Sequence, residues 1–314
     1  MMDRRDFMKS SALGAAGMSL FPMACADAGS SAGLIPPPPI FTISLAQWSH
    51  HKALYAKEMT NLEFPVMTRD AFGIDAVEYV NSFMKEESRD PRYVAELKGI
   101  CDSEGVTSVL IMCDGEGRLG DPDDAARTTA IENHYRWIDI AAELGCHSIR
   151  VNAASEGDWD TQRDLAADGL RRLTEFGEQS SINVIVENHG GISSNGKWLS
   201  EVMRTVNHPM CGTLPDFGNF NMGEENGGWY DIYTGIEELM PFAHAVSAKS
   251  HNFDDAGDER DKDYLRIMRI VLDAGYRGRV GIEYEGSEEL ESDGIMLTKA
   301  LLERCRETLT PEYS

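Results

Sequence analysis

From Phe41 onward, short apolar runs alternate with longer segments in which apolar residues recur every three or four positions. A short run bounded by glycine and polar residues reads as a strand buried on both faces, and the longer amphipathic segments read as helices that cover it. Strands are predicted at 41–48, 76–81, 107–114, 148–153, 183–189, 210–217, 245–251 and 278–285. Helices are predicted at 62–71, 90–104, 121–144, 164–179, 198–206, 230–240, 264–274 and 292–307. Within 121–144, Ile131, Tyr135, Ile138 and the pair Ala141/Ala142 fall on one face. Gly73, Gly105, Gly145 and Gly275 stand where helices should stop before strands. Eight strand–helix repeats predict a single (β/α)8 TIM barrel of class α/β. An open doubly wound sheet is the competing arrangement. It lacks support, because no GxGxxG opens the first helix, and neither a P-loop nor a GxSxG elbow occurs.

The first 40 residues do not follow this alternation. Arg4-Arg5-Asp6-Phe7-Met8-Lys9 is a twin-arginine stretch, and a mildly apolar run from Ala12 to Leu20 follows it. The layout over 1–26 resembles a Tat-type signal peptide, which exports folded proteins. The run is too short for a stable membrane span. Ala24-Cys25-Ala26 fits a small-x-small cleavage site, which leads to a soluble periplasmic protein. Cys25 read instead as a lipobox cysteine would carry a lipid anchor, with Pro22 an atypical residue upstream. Residues 27–40, rich in Gly and Ser and carrying Pro36 to Pro39, form a linker, and 41–314 is the barrel domain. Changing Arg4 and Arg5 together to Lys is expected to hold the precursor in the cytoplasm. Undiminished export of that variant, read by cell fractionation, removes the Tat assignment.

Composition narrows the partners. A chain of 314 residues with 42% hydrophobic content suits one barrel with a sizeable core. The formal charge of -24 repels phosphodiester backbones, so no nucleic-acid partner is expected. The six cysteines contain no CxxC pair and mostly lie in apolar segments, as buried free thiols do. The oligomeric state is left open.

The chemistry is sought at strand ends, because a barrel builds its active site at the C-terminal ends of its strands. The fifth predicted strand ends in Val186-Glu187-Asn188-His189, the sixth in Leu214-Pro215-Asp216-Phe217 and the eighth in Ile282-Glu283-Tyr284-Glu285. Three carboxylates converging on one barrel mouth repel one another unless something neutralises them. A divalent cation (Mn²⁺, Mg²⁺, Co²⁺ or Zn²⁺) held by oxygen ligands and one imidazole answers that repulsion. The competing reading makes each acid a helix N-cap or a solvated loop residue.

The stretches Val186-Glu187-Asn188, Leu214-Pro215-Asp216-Phe217-Gly218-Asn219 and Gly281-Ile282-Glu283 resemble the xylose-isomerase-like barrel superfamily. That group comprises sugar isomerases and epimerases, inosose dehydratases and the endonuclease IV group, and the resemblance spans roughly residues 41–307. It implies Glu187, Asp216 and Glu283 as metal ligands and Glu187 with Glu283 as the acid/base pair. Strand seven departs from the pattern, with Ser247 where the family usually has His. His251 shares a strand face with Ser247 and Lys249 and stands either as the nitrogen ligand or as a substrate contact.

Other residues face the same way. Lys249 is placed to stabilise an enediolate oxygen or to protonate a departing group. His189 is a ligand, an acid/base group or a substrate contact. Arg150 and Asn152 alternate into the barrel from strand four, Arg150 to orient a substrate group or to pair with an acid. Trp48 walls off the apolar face of a sugar or belongs to the core. Glu285 is a further substrate contact, and Glu78 and Asp114 are weaker candidates.

The implied activity is a metal-dependent isomerase or epimerase of a sugar or keto-sugar that abstracts a proton beside a carbonyl. A keto-sugar lyase or dehydratase is the alternative on the same site. Export makes phosphorylated intermediates poor candidates. An endonuclease fits badly with the acidic surface and the strand-seven departure. A non-catalytic carbohydrate-binding barrel has no need of three converging carboxylates.

Overall fold

Eight strands form one parallel sheet in a computed structural model that describes residues 38–314. They are β1 (Thr42–Ala46), β2 (Ala76–Val80), β3 (Thr107–Met112), β4 (Ser148–Val151), β5 (Asn183–Glu187), β6 (Cys211–Leu214), β7 (Val246–Ser250) and β8 (Arg279–Tyr284). The predicted export signal, Cys25 and most of the predicted linker lie outside the described residues. Pairing runs β6-β5-β4-β3-β2-β1-β8-β7. The two edges meet through isolated bridges, Thr213 to Ala243 and Asp216 to Ser247. At that seam Ser247 N donates to Pro215 O and Phe217 N to Ser247 O, both at 3.0 Å. This is the TIM barrel expected from the eightfold alternation.

The helices are α1 (His51–Tyr55), α2 (Phe64–Phe72), α3 (Pro91–Glu104), α4 (Asp124–Leu144), α5 (Trp159–Glu178), α6 (Gly196–Val206), α7 (Ile232–Leu239), α8 (Tyr264–Asp273) and α9 (Glu291–Tyr313). Their buried faces, for example Trp137, Ile138 and Ala141 of α4, pack on the strands beneath them, β3 and β4 in the case of α4. Of the predicted α4 face, Ile131, Ile138 and Ala141 are buried and Tyr135 is half-buried, while Ala142 is exposed. Gly105 and Gly145 end α3 and α4 at φ 66° and 81°, where a side chain would be strained.

Some of the acidity has a structural use. Asp90, Asp123, Asp158, Asp231 and Asp263 accept backbone N–H bonds at the starts of α3, α4, α5, α7 and α8. Each such cap contributes about 1 kcal/mol. The cap of Asp158 starts α5 earlier than the predicted 164. The short α1 was not expected: Glu291, at the head of α9, accepts from Lys52 N at 2.7 Å and Ala53 N at 3.2 Å, a cap supplied from 239 residues away. Among the described residues the cysteines are free and buried, and no helix is long and apolar enough to cross a membrane.

Candidate active site

Parallel strands present their C-terminal ends to one rim, and Glu187, Asp216 and Glu283 reach the same place from β5, the turn after β6, and β8. They are 0%, 0% and 3% exposed. One ligand oxygen of each lies within 4.8 Å of the others, so none is a helix cap or a solvated loop residue. Asp216 Oδ1 accepts from Gly218 N and Asn219 N, both at 2.8 Å. Ser247 Oγ stands 2.7 Å from Asp216 Oδ2 and 2.9 Å from Glu283 Oε2, one hydroxyl between two acceptors. Glu187 Oε1 accepts from Asn219 Nδ2 at 2.9 Å.

Two cations enter the cluster. Arg150 Nε is 2.7 Å from Glu187 Oε2, but its N–H points elsewhere, so the contact is an ion pair and neither atom gains a hydrogen bond. Arg150 Nη1 and Asn152 Nδ2 both donate to Asp114 Oδ1, at 2.9 and 2.7 Å. Lys249 Nζ lies 3.1 Å from Glu283 Oε1, 3.1 Å from Glu285 Oε2 and 3.8 Å from Asp216 Oδ2. Burial opposes the charge of Lys249, yet the surrounding acids hold its ammonium well above the ordinary lysine range. Burial pushes the Glu187 and Asp216 carboxyls up, with Arg150 and Lys249 respectively opposing it and neighbouring carboxylates adding to it.

The cluster lies under a cavity of 510 Å³ lined by Trp48, Tyr55, Asp114, Arg150, His189, Glu283 and Glu285, among others. Trp48 stacks on Phe83 with ring centroids 5.9 Å apart and donates its indole N–H to Glu285. The lining thus combines aromatic and polar side chains, the usual build of a small-molecule site. A larger cavity of 680 Å³, lined from Tyr233, α8, α9 and the loop after β7, holds none of the three carboxylates.

The structure departs from expectation at His251. β7 ends at Ser250, and His251 turns out of the cluster, with Nε2 4.0 Å from Glu285 Oε2 and Nδ1 3.4 Å from Lys262 Nζ. The cause is the buried pair Glu259–Lys262 at 2.7 Å, whose Glu259 also accepts from His251 N at 3.3 Å and fixes the loop. The group among the described residues that could hold a metal is therefore three carboxylates without an imidazole. Sequence reading also missed the roles of Asn188 and Asn219. Asn188 brackets Asp216, accepting from its N–H at 2.8 Å and donating to its carbonyl at 3.0 Å. Asparagine following a strand-end acid was the available signal, but the partners of Asn188 lie in the turn after β6.

The three carboxylates, with Glu187 Oε2 lacking a hydrogen bond, form an oxygen donor set that fits a hard divalent ion.

Glu78 lies deeper in the barrel, 1% exposed, with Oε1 accepting from Ser44 Oγ at 2.5 Å and Oε2 unpartnered. Burial pushes its carboxyl from 4.5 up to about 7, against the Ser44 hydrogen bond. An acid whose folded pKa lies above its unfolded one costs stability as pH rises through that interval. Glu78→Gln should therefore exceed wild type in stability at pH 8 by up to roughly 3 kcal/mol, and the gain should vanish near pH 4. Chemical-denaturation midpoints across that range check it, and a gain independent of pH would assign the proton elsewhere.

Residues 69–306 match the family described as the xylose isomerase-like TIM barrel. A comparison with curated proteins finds no match. The fold is similar to that of an L-ribulose 3-epimerase, at a TM-score of 0.67 and 14% identity, covering 87% of this chain and 96% of that one. It is similar to a xylose isomerase-like TIM barrel protein from Mycobacterium smegmatis in complex with magnesium, at 0.65 and 16%, covering 87% and 98%. It is also similar to a 3-keto-D-glucoside 4-epimerase from E. coli, at 0.61 and 16%, covering 85% and 100%. The family match spans most of the barrel and contains all three carboxylates, and on that ground the chain belongs to the xylose isomerase-like TIM barrel family.

Proposed function

We propose that this protein is an exported isomerase or epimerase of a sugar or keto-sugar that moves a proton on the carbon beside a carbonyl. The observation that carries the reading is the convergence of Glu187, Asp216 and Glu283 under a cavity lined by aromatic and polar side chains. Two of the structures similar in fold are sugar epimerases, which supports the substrate class. Glu283, which lines the cavity, acts as a base on one face of the substrate, and Glu187 from the other side of the barrel returns the proton. Arg150 holds Glu187 and Asp114 in place. Trp48 packs on the apolar face of the ring, while Glu285, His189 and Asn152 meet hydroxyl groups. Glu187, Asp216 and Glu283 would hold a divalent ion, whose charge stabilises the oxygen anion formed when the proton leaves. An oxygen-only donor set favours Mg²⁺ or Mn²⁺.

A second reading, elimination by a keto-sugar lyase, draws on Lys249. Its buried ammonium lies 3.1 Å from Glu283, where it can give a proton to a departing group. Product analysis separates rearrangement from elimination.

The test is made on Asp216→Asn, which keeps the shape and removes one charge. Mn²⁺ at saturation should raise the Tm of the wild-type protein, by about 2.7 kcal/mol of stabilisation at 100 times Kd. That rise should disappear in the variant together with activity. Absence of a metal response, and of solvent-deuterium incorporation into any ketose or keto-glycoside, would leave a carbohydrate-binding barrel as the better account.

A further inference from the structure

The carboxylates at the barrel mouth already have occupants. Asp216 Oδ1 is taken by two backbone N–H groups. Asp216 Oδ2 and Glu283 Oε2 share the Ser247 hydroxyl, and Glu283 Oε1 faces Lys249 Nζ at 3.1 Å. Glu187 Oε2 is buried without a hydrogen bond and faces Arg150 Nε at 2.7 Å.

The path of Lys249 to this position is built into the fold. Its stem crosses Gly218, where an added Cβ would stand 3.0 Å from Cγ, 3.1 Å from Cδ and 3.3 Å from Cβ of the lysine. Any side chain at 218 would crowd the stem. A third acid, Glu285, meets Nζ at 3.1 Å from the cavity side, beside Trp48. From its one position the ammonium thus touches Asp216 and Glu283 on one side and Glu285 on the other, so it can give up the first two and keep the third.

An ammonium and a divalent ion draw on the same oxygens and repel each other at close range. The ammonium is tethered, so its local concentration at the cluster is high and independent of what is dissolved outside. An incoming ion must displace it.

We propose that Lys249 is a built-in competitor of the divalent ion for Asp216 and Glu283, and that metal enters as the ammonium shifts to Glu285. This rests on the carboxylate cluster being the metal site. It makes metal affinity a property of a residue outside the ligand set, and it predicts a weak, exchangeable ion in the wild-type protein.

The experiment is Mn²⁺ binding to purified protein, read from free Mn²⁺ by electron paramagnetic resonance and from the Tm at each Mn²⁺ concentration. Lys249→Met, of similar length and no charge, should bind Mn²⁺ at least roughly tenfold more tightly than wild type, a shift of one decade in Kd. Its Tm should rise at correspondingly lower Mn²⁺. Lys249→Arg keeps the charge and should show no such gain. Lys249→Gln, neutral but polar, should follow Lys249→Met and serves if the methionine variant does not fold. Equal or weaker binding in the neutral variants overturns the competition and leaves the metal reading standing. No binding by any of these proteins at millimolar Mn²⁺ overturns both.

Discussion

Glu283→Gln should lower kcat by about 10²- to 10⁴-fold and stop exchange of the substrate's α-hydrogen with solvent deuterium. Glu283 lies on β8, held by β1 and β7 on either side, and combines burial with access to the cavity. Glutamine keeps its shape. Its amide oxygen can still accept from Ser247, and Lys249 keeps Glu285 and Asp216 as partners. The fold should therefore survive and the loss should be chemical. Because Glu283 also belongs to the cluster, the variant must be read beside Asp216→Asn, and the two effects need not add. Exchange measured by mass spectrometry in deuterium oxide separates the roles. Loss of metal response with exchange retained would make Glu283 a ligand only, and the base would pass to Glu187.

The second large effect is on stability. Arg150→Met should destabilise the fold by roughly 3–5 kcal/mol, the cost of leaving buried charge uncompensated. Arg150 is 3% exposed and stands between Glu187 and Asp114, and among the described residues no other cation is within 4 Å of Glu187. Adding Glu187→Gln should recover a large part of the loss, because the unpaired charge is then gone. The coupling is read from a double-mutant cycle in urea. Burial pushes the Glu187 carboxyl up, so a proton is the alternative to the ion pair. A loss below about 1 kcal/mol in Arg150→Met, within the range of weak exposed pairs, would show that Glu187 is protonated in the folded protein.

The amino-acid sequence determined the barrel and the rim on which its chemistry lies. Alternation of apolar runs with amphipathic segments is a local property, and it placed all eight strands within a few residues of where they form. Glycines at 105 and 145 ended their helices because only the residue itself has to adopt a positive φ. Acids at the ends of strands five, six and eight were legible for the same reason: in a barrel the position along a strand already fixes the rim.

What the strand period does not give is the partner on another strand or the direction of a chain after its strand ends. Ser247, Lys249 and His251 share a face by period two, yet only the first two reach the carboxylates. His251 is drawn aside by Glu259 and Lys262, inside a loop whose course depends on a buried ion pair. Asn188 and Asn219 acquire their roles from bonds to Asp216 and Glu187 across the β5–β6 boundary. The cap of α1 comes from Glu291 at the far end of the chain. Closure of the sheet at Asp216 and Ser247 brought these groups within hydrogen-bond reach, and contacts of that kind depend on distances in space that separation along the chain does not encode.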